Sequence, residues 1–551
     1  MPSKAETLEA PPWSPASRQM TMQNRIFESS ASCLPDWGSL MLDRRRLLTA
    51  ASTFGFLATI SPPSALAQTA PRKGGILRLG MAGGGRADSL DPRTYADLIP
   101  VACSLMIWNS LVEVDAQGNA VPELAESWES RPGATEWIFN IRKGITFGSG
   151  KALDADDVVY SINLVRQGLP NLTTNGLFAP IRAVTKISSN QVKVELSVGN
   201  ADLPYTFADY RMIIVPAGTT DFSKADGTGA FSLIDWQPGA RFAVKRKPGT
   251  YWKHNCGNFD AVDLRYMPDA AVRTQALLAG QVDAINQVEP KTAALLAKRS
   301  NIRISRTEGT GSRFAFVAHT DKEPFKNRDL LLAMKYGIDR QKIVDSVFSG
   351  YASIGNDHPV GPSTRYFDPN QEQRRFDPDK ARFHLKKSGF GASVELQVSE
   401  GAFVGATDAA LVFQDSAKRF DLNVDVKRVA GTDYWSKVWL KVPFCAVFWG
   451  PQPTADRALS QSFMSSAPWN DTRYANPRLD RLLLDARVEL EDTKRRAMYA
   501  EAQALVADEA GMLCFAISDT LDGCTTNLMG LEPSARLGMS DMRLAERGWF
   551  A

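Results

Sequence analysis

Few of the 551 residues have types and spacings suited to covalent chemistry. No Gly-x-Ser-x-Gly elbow, His-Glu-x-x-His pair or Cys–His nucleophile signature occurs. The four histidines, at 254, 319, 358 and 384, have no metal-ligand spacing, which argues against a metal centre. Gly83-Gly84-Gly85 lacks the spacing of a dinucleotide fingerprint and reads as a turn. Gly148-Ser149-Gly150-Lys151 imitates a phosphate loop. It has Ile145 where the first glycine belongs, however, and Ala152 where a hydroxyl must hold magnesium. The adjacent carboxylates Asp156-Asp157 open a helix, where compensation of the helix dipole explains them without catalysis.

One stretch, Cys445 to Arg487, is instead suited to holding a small polar solute. Cys445-Ala446-Val447-Phe448-Trp449 reads as an apolar strand that breaks at the rigid turn Gly450-Pro451-Gln452-Pro453, where two prolines and a glycine cannot continue a ladder. An exposed loop carrying Trp469-Asn470 is expected next. A helix then begins with Asn476 as N-cap and Pro477 at its first position, and Leu479, Leu482, Leu483, Ala486 and Leu490 recur on one face. A rigid support, an aromatic wall and a few oriented polar groups are what small-solute sites need. A core tryptophan plugging a strand end is the competing reading of Trp449.

The length and the 44% hydrophobic content support two or three domains. The net charge of +3 is near neutral. Six of the basic and five of the acidic residues precede Gln68, so the remainder keeps that balance. No Lys/Arg cluster with interleaved aromatics appears, which excludes a dedicated nucleic-acid surface. Beyond Cys33 in the leader, five cysteines remain without paired short spacing. This is not a disulfide scaffold, and Cys514–Cys524 is the candidate for a single bridge.

Residues 1–67 read as a leader. Asp43-Arg44-Arg45-Arg46-Leu47-Leu48 resembles a twin-arginine motif, the apolar segment Leu47–Ile60 is too short to span a bilayer, and Ala65-Leu66-Ala67 is a small-x-small cleavage site. Met41 is an alternative start. The mature chain is expected to be exported and soluble.

Several elements must position the site. Strands are expected at Ile76–Leu79, Trp137–Ile141, Ala230–Ile234 and Phe242–Lys247, with a hairpin over Val184–Leu196 turned at Ser188–Asn190. The spacing predicts helices over Ala155–Gln167, Ala270–Ala279, Asn327–Tyr336, Asp339–Phe348, Pro378–Ser388 and Thr493–Ala507. Thr310–His319 and Met512–Ile517 read as buried strands. Val394–Val398, a helix around Ala406–Arg419 and Leu422–Lys427 form a βαβ unit, which implies parallel pairing and an α/β region.

These pieces, in this order, resemble the solute-binding proteins that serve ABC importers of peptides and nickel. The resemblance covers about residues 72–530. Lys73–Arg78 looks like that family's opening strand, and Val121–Trp128 is similar to its P-x-L-A-x-S-W signature. Trp137–Phe147 matches W-x-F-x-L-R-x-G-x-x-F, and Asp156-Asp157-Val158 matches its A-x-D-V helix start. Gly227–Phe231 stands for G-T-G-P-F with Ala230 in place of proline, and Tyr251-Trp252 for N-x-x-Y-W. Pro324–Arg340 is similar to P-F-x-D-x-x-V-R-x-A-x-x-x-A-I-D-R, and the stretch after Cys445 to W-x-G-R-P-T-x-D followed by W-N, with Gln452 where arginine is usual.

The resemblance implies an α/β, two-lobe periplasmic binding protein fold with a small subdomain inserted in lobe I and two strands crossing between the lobes. The expected boundaries are 72–309 for lobe I, with the insertion at about 115–225, then 310–513 for lobe II and 514–551 for the return. It further implies a monomer that captures a peptide-like or small polar solute between the lobes and hands it to ABC permease membrane subunits, with no cofactor. The expected ligand-lining residues are Asp88, Leu90 and Asp91 from lobe I, with Trp449, Gly450, Gln452, Asp456, Trp469 and Asn470 from lobe II. The aspartate that captures a peptide's α-amino group in dipeptide binders has no clear counterpart. The alternatives are a secreted hydrolase, for which no motif speaks, and a binding protein that feeds a chemoreceptor or carries haem or nickel.

Overall fold

The computed structural model describes residues 71–169 and 175–551, so the leader expected over 1–67 lies outside the described residues. Two mixed sheets organise the molecule. The lobe I sheet has seven strands in the order Ile302–Thr307, Thr520–Thr525, Ala284–Ile285, Ile76–Met81, Ala261–Tyr266, Arg241–Arg246 and Phe231–Gln237. Its central strand Ile76–Met81 runs parallel to both neighbours. Leu77, Leu79 and Met81 point to one face of this strand and are buried in the lobe I core, whereas Ile76 on the other face is exposed. The lobe II sheet has six strands in the order Ala352–Ile354, Met512–Ser518, Arg313–Ala318, Phe444–Trp449, Ser393–Val398 and Asn423–Arg428. Here the βαβ unit is present as expected, with Ser393–Val398 and Asn423–Arg428 parallel around the helix Ala406–Lys418.

A third, four-stranded antiparallel sheet forms the core of the inserted subdomain. Its strands are Ala125–Ser130, Glu136–Ile141, Gln191–Leu196 and Ile181–Ser188. The helix Ala155–Gln167 lies against it, and a capping box between Asp154 and Asp157 starts that helix. Asp157 is fully buried and its carboxylate meets Lys151 Nζ at 2.6 Å, so the false phosphate loop and the paired carboxylates serve one helix start. Each of the three regions has its own apolar core.

Asparagine and aspartate caps set the helix starts that the spacing predicts. Asn327, Asp339, Asp377 and Asn476 each accept backbone N–H bonds, and Gly389 closes Pro378–Ser388 in the left-handed conformation. Two expectations are corrected here. Leu490 lies beyond the helix Pro477–Val488 and is exposed, because the helix ends two residues before it. Cys514 and Cys524 are both free thiols, each buried in a strand of a different sheet.

The chain passes between the lobes twice, at 308–312 and at Asp519; the return expected from 514 is corrected, because Met512–Ser518 pairs with Arg313–Ala318 in the lobe II sheet. Gly311 N donates to Ser518 O at 2.7 Å, and Ser518 N to Ser312 O at 3.0 Å. A Cβ at Gly311 would collide with the Ser518 hydroxyl, so only glycine allows this approach. The Asp519 carboxylate accepts from Gly309 N at 2.9 Å and from Arg306 Nε at 2.6 Å.

A buried ionic cluster joins the subdomain to lobe I and the C-terminal segment. Lys253 Nζ lies 2.7 Å from Glu113, 2.6 Å from Glu123 and 3.2 Å from Glu546. Arg543 meets Glu123 at 2.9 Å and Glu546 at 3.1 Å, and Arg547 closes on Glu113. Burial opposes ionisation of Glu113, but Lys253, Arg543 and Arg547 outweigh it and hold its carboxyl well below the usual range. The signature residues Glu123 and Tyr251 therefore serve a structural joint, with the Tyr251 hydroxyl donating to Glu546 at 2.6 Å. Asn109 Nδ2 and Ser110 N also donate to Glu123, at 3.0 and 3.1 Å. Removing one partner of a buried pair costs about 3–5 kcal/mol, because the opposite charge is left uncompensated. Glu123→Ala is expected to lower unfolding free energy by that amount in urea titrations followed by tryptophan fluorescence. A loss below about 1 kcal/mol would contradict this account of the joint.

Candidate functional site

The loop Asp88–Tyr95 of lobe I follows the central strand. Gly83 sits at φ +92°, and a Cβ there would lie 2.7 Å from Asp97 Oδ1, which explains the glycine at that position. The Gly85 N–H is taken by Asp88 Oδ2 at 2.8 Å, and burial pushes the Asp88 carboxyl up. Leu90 is 2% exposed and belongs to the lobe I core; its carbonyl accepts the Tyr95 hydroxyl at 2.8 Å. Asp91 caps the short turn Pro92–Thr94 and is paired with Arg93 at 2.6 Å.

On lobe II, Trp449 ends the strand Phe444–Trp449 opposite Arg313. It is 4% exposed, packs on Trp439 at 6.3 Å between ring centres, and donates its indole N–H to Asp471 Oδ2 at 3.1 Å. Its ring belongs to the lobe II core, so the plug reading describes it better than a freely exposed wall. Gly450 and Gln452 are half-buried in the turn that follows.

The exposed loop expected after this turn is corrected, because a helix, Ala455–Phe463, begins at once with Thr454 as N-cap. Its buried positions Ala455, Ala458, Leu459, Ser462 and Phe463 follow helical spacing. That signal is masked in the sequence by the prolines before it and the small residues on its buried face. Asp456 lies in the first helical turn and is bound by Arg487 Nε at 3.1 Å and by the Ser460 hydroxyl at 3.2 Å. Burial pushes its pKa up, with Arg487 opposing. Trp469 is half-buried against the lobe II core. Asn470 is 5% exposed, and its amide donates to Tyr474 O at 2.7 Å, facing into lobe II.

Four side chains that the sequence reading does not single out stand where the regions meet. Arg457, on the new helix, lies within electrostatic reach of Asp209, Tyr210 and Arg211 from the subdomain side. Arg211 reaches Asp209 at 3.1 Å, donates to Tyr95 O at 3.1 Å, and its guanidinium lies 4.2 Å from the Tyr210 ring centre. Tyr95 and Tyr210 are neighbours at 6.5 Å. Burial pushes Arg457 below its ordinary value, with Asp209 opposing and Arg211 adding to the shift. Thus Tyr95, the Asp209–Arg211 turn and Arg457 of the helix Ala455–Phe463 form one group of tyrosines and arginines drawn from three parts of the chain. The triplet Asp209-Tyr210-Arg211, charged and aromatic within a loop, is the signal that could have pointed there.

Behind this surface, Asp471 accepts the indole N–H groups of both Trp439 and Trp449 on Oδ2, each at 3.1 Å, while Oδ1 accepts no hydrogen bond from the described residues. Burial pushes its carboxyl up to about 7, with the two indoles and Arg473 opposing. In the unfolded chain an aspartate titrates near about 3.9. The folded state therefore binds the extra proton. The associated stability is fully present below about pH 4 and is lost as pH rises through about 7. Asp471→Asn is expected to flatten the pH dependence of unfolding between about pH 4 and 7, by an amount on the order of a few kcal/mol. Urea midpoints for the wild type and the variant at matched pH check this. Parallel curves would refute it.

Residues 119–471 match the bacterial extracellular solute-binding proteins, family 5 (middle). The chain is 25% identical over 449 residues to heme-binding protein A of Haemophilus influenzae, covering 74% of this chain and 81% of that one. It is 24% identical over 490 residues to the dipeptide-binding protein of Pseudomonas aeruginosa, covering 79% and 88%. Among solved structures, HbpA2 of Haemophilus parasuis superimposes with a TM-score of 0.75 at 20% identity, covering 87% of this chain and all of that one. With two sheets joined by two crossing segments and a match spanning more than half its length, the chain belongs to the family 5 bacterial extracellular solute-binding proteins and has their two-lobe fold.

Proposed function

We propose that this protein works in the periplasm as the solute-capturing component of an ABC importer, without a chemical step of its own. A small solute is held between the Asp88–Tyr95 loop and the Gly450–Arg457 segment and is passed to the membrane subunits. The relatives named above bind partners as unlike as haem and a dipeptide, so membership of the family does not choose the solute. We propose further that the part of the solute near Gln452 is neutral. The observation that carries this is the pairing of two of the candidate carboxylates with arginines, Asp91 with Arg93 and Asp456 with Arg487. Gln452 supplies an amide, which donates and accepts hydrogen bonds but neutralises no charge. An ammonium buried there without a counter-ion would cost several kcal/mol. A modified peptide, an opine-like conjugate or a small glycoside meets the condition.

Calorimetry with matched free-amine and N-acetylated dipeptides tests the charge preference. The acetylated form is expected to bind at least tenfold more tightly. A preference for the free amine that persists in Gln452→Ala would overturn the reading. Native mass spectrometry of protein purified without refolding is expected to show a co-purifying small solute.

Export by the twin-arginine route is part of the same proposal, from Arg44-Arg45 and the Ala65-Leu66-Ala67 site. The double substitution Arg44→Lys/Arg45→Lys is expected to leave the protein in the cytoplasm with its leader uncleaved, as read by fractionation and N-terminal sequencing. Unchanged export would exclude the route.

A further inference from the structure

We infer that Asp202 is a positioning residue for solute capture: it ties the inserted subdomain to lobe II at a second point, away from the crossing strands, and so fixes how the lobes move. The inference rests on the solute-capturing reading above. Asp202 occupies the N-cap position of the helix Leu203–Phe207, yet its side chain makes no capping bond there. Aspartate at that position ordinarily bonds its own helix. Here the carboxylate turns to the other lobe, and Oδ1 lies 2.8 Å from Arg495 Nη2 with both side chains almost fully buried. Arg495 is already fixed within lobe II, donating to Ala486 O and to the Tyr366 hydroxyl, each at 3.0 Å.

The contacts around this pair form a continuous seam. Ala201 N donates to Arg487 O at 2.8 Å, and Arg365 Nη1 donates to the Tyr205 hydroxyl. At Gly199 a Cβ would lie 2.9 Å from Val488 Cγ1, so the two surfaces touch at van der Waals distance. Arg365 and Arg487, like Arg495, have their charged forms favoured by Asp202. One subdomain carboxylate thus pairs with Arg495 and lies within electrostatic reach of two further guanidinium groups of lobe II. Those two have lobe II partners, Arg365 with Asp492 at 2.6 Å and Arg487 with Asp456 at 3.1 Å. Arg487 links the seam to the helix that follows the Gln452 turn.

The mechanical consequence follows from geometry. The two crossing segments lie side by side, with the Thr310 and Thr520 hydroxyls 3.1 Å apart, and act as one point of attachment. Bodies joined at one point can both bend and twist. A second fixed point leaves only rotation about the line through the two, and hinge motion becomes reproducible. Separating Asp202 from its arginines would leave buried charge uncompensated, which makes the second point costly to open.

The test uses the full chain without added solute. Spin labels are placed at the exposed positions Lys245, in the lobe I sheet, and Lys418, in lobe II, as Lys245→Cys and Lys418→Cys. Cys103, Cys256, Cys445, Cys514 and Cys524, the cysteines of the described residues, are buried and shielded from the reagent. Double electron–electron resonance is expected to give a single narrow inter-lobe distance. Asp202→Asn is expected to widen that distribution at least twofold, together with a lowered tryptophan unfolding midpoint, because Arg495 is left buried without its counter-charge. A distribution as narrow as in the parent protein overturns the inference, as does a lowered midpoint without widening, which marks a purely structural role. If Asp202→Asn does not fold, Tyr205→Phe decides by the same two criteria. Because no solute is added, a negative result leaves the solute-capturing reading standing, and that reading fails only on the calorimetric and mass-spectrometric experiments.

Discussion

The close approach at Gly311 and Ser518 is the constraint that the two-lobe architecture depends on. Backbone hydrogen bonds join the outgoing and returning segments there, and the space between them admits no side chain. Because the segments are adjacent, each lobe completes its sheet with a strand from either side of the crossing. Ile302–Thr307 pairs with Thr520–Thr525 in lobe I, and Arg313–Ala318 with Met512–Ser518 in lobe II. The paired strands thus run up to the crossing, and only a few residues of each segment lie between them. Asp519 gathers that short stretch, holding Gly309 and Arg306 with one buried carboxylate. Burial pushes this carboxyl above its usual value, with the Gly309 N–H and Arg306 opposing.

Away from the hinge, the joints between cores are ionic. Apolar cores hold each region together separately, while the seams between regions carry Glu113, Glu123, Lys253, Arg543 and Glu546 on one side and Asp202, Arg365, Arg487 and Arg495 on the other. This division has a physical basis. Burial of apolar surface is non-directional and tolerates sliding, whereas a paired buried charge is satisfied at only one register. Regions that must keep a fixed relation, or move along one path, gain more from the second kind of contact.

The candidate site shows a similar separation of duties. Trp449 and Asn470 face inward and build the support behind the surface, one through Asp471 and the other through Tyr474. The surface itself is supplied by short polar segments. An inward tryptophan at a strand end and an outward one have the same sequence signature, since both interrupt an apolar run next to a turn. Their difference is the direction of a side chain, and this is set by pairing register and by the acceptor that the indole finds.

By itself the sequence determined the chain's class. The absence of nucleophile and metal motifs, the caps of the long helices, the βαβ unit and the ordered signature motifs are all local or periodic features, and each is legible from neighbouring residues. Asn476 caps where the sequence predicts, because capping involves only the next few backbone amides. Only the tertiary structure decided which charges meet. Glu123 and Arg543 are 420 residues apart in sequence, and Asp202 reaches across a lobe boundary to Arg495. It also decided that Asp456 is already paired with Arg487, that Cys514 and Cys524 lie in different sheets, and that Arg457 faces Asp209 and Arg211. Charge pairing, burial and side-chain direction depend on elements brought together from distant parts of the chain, and no local pattern encodes that meeting.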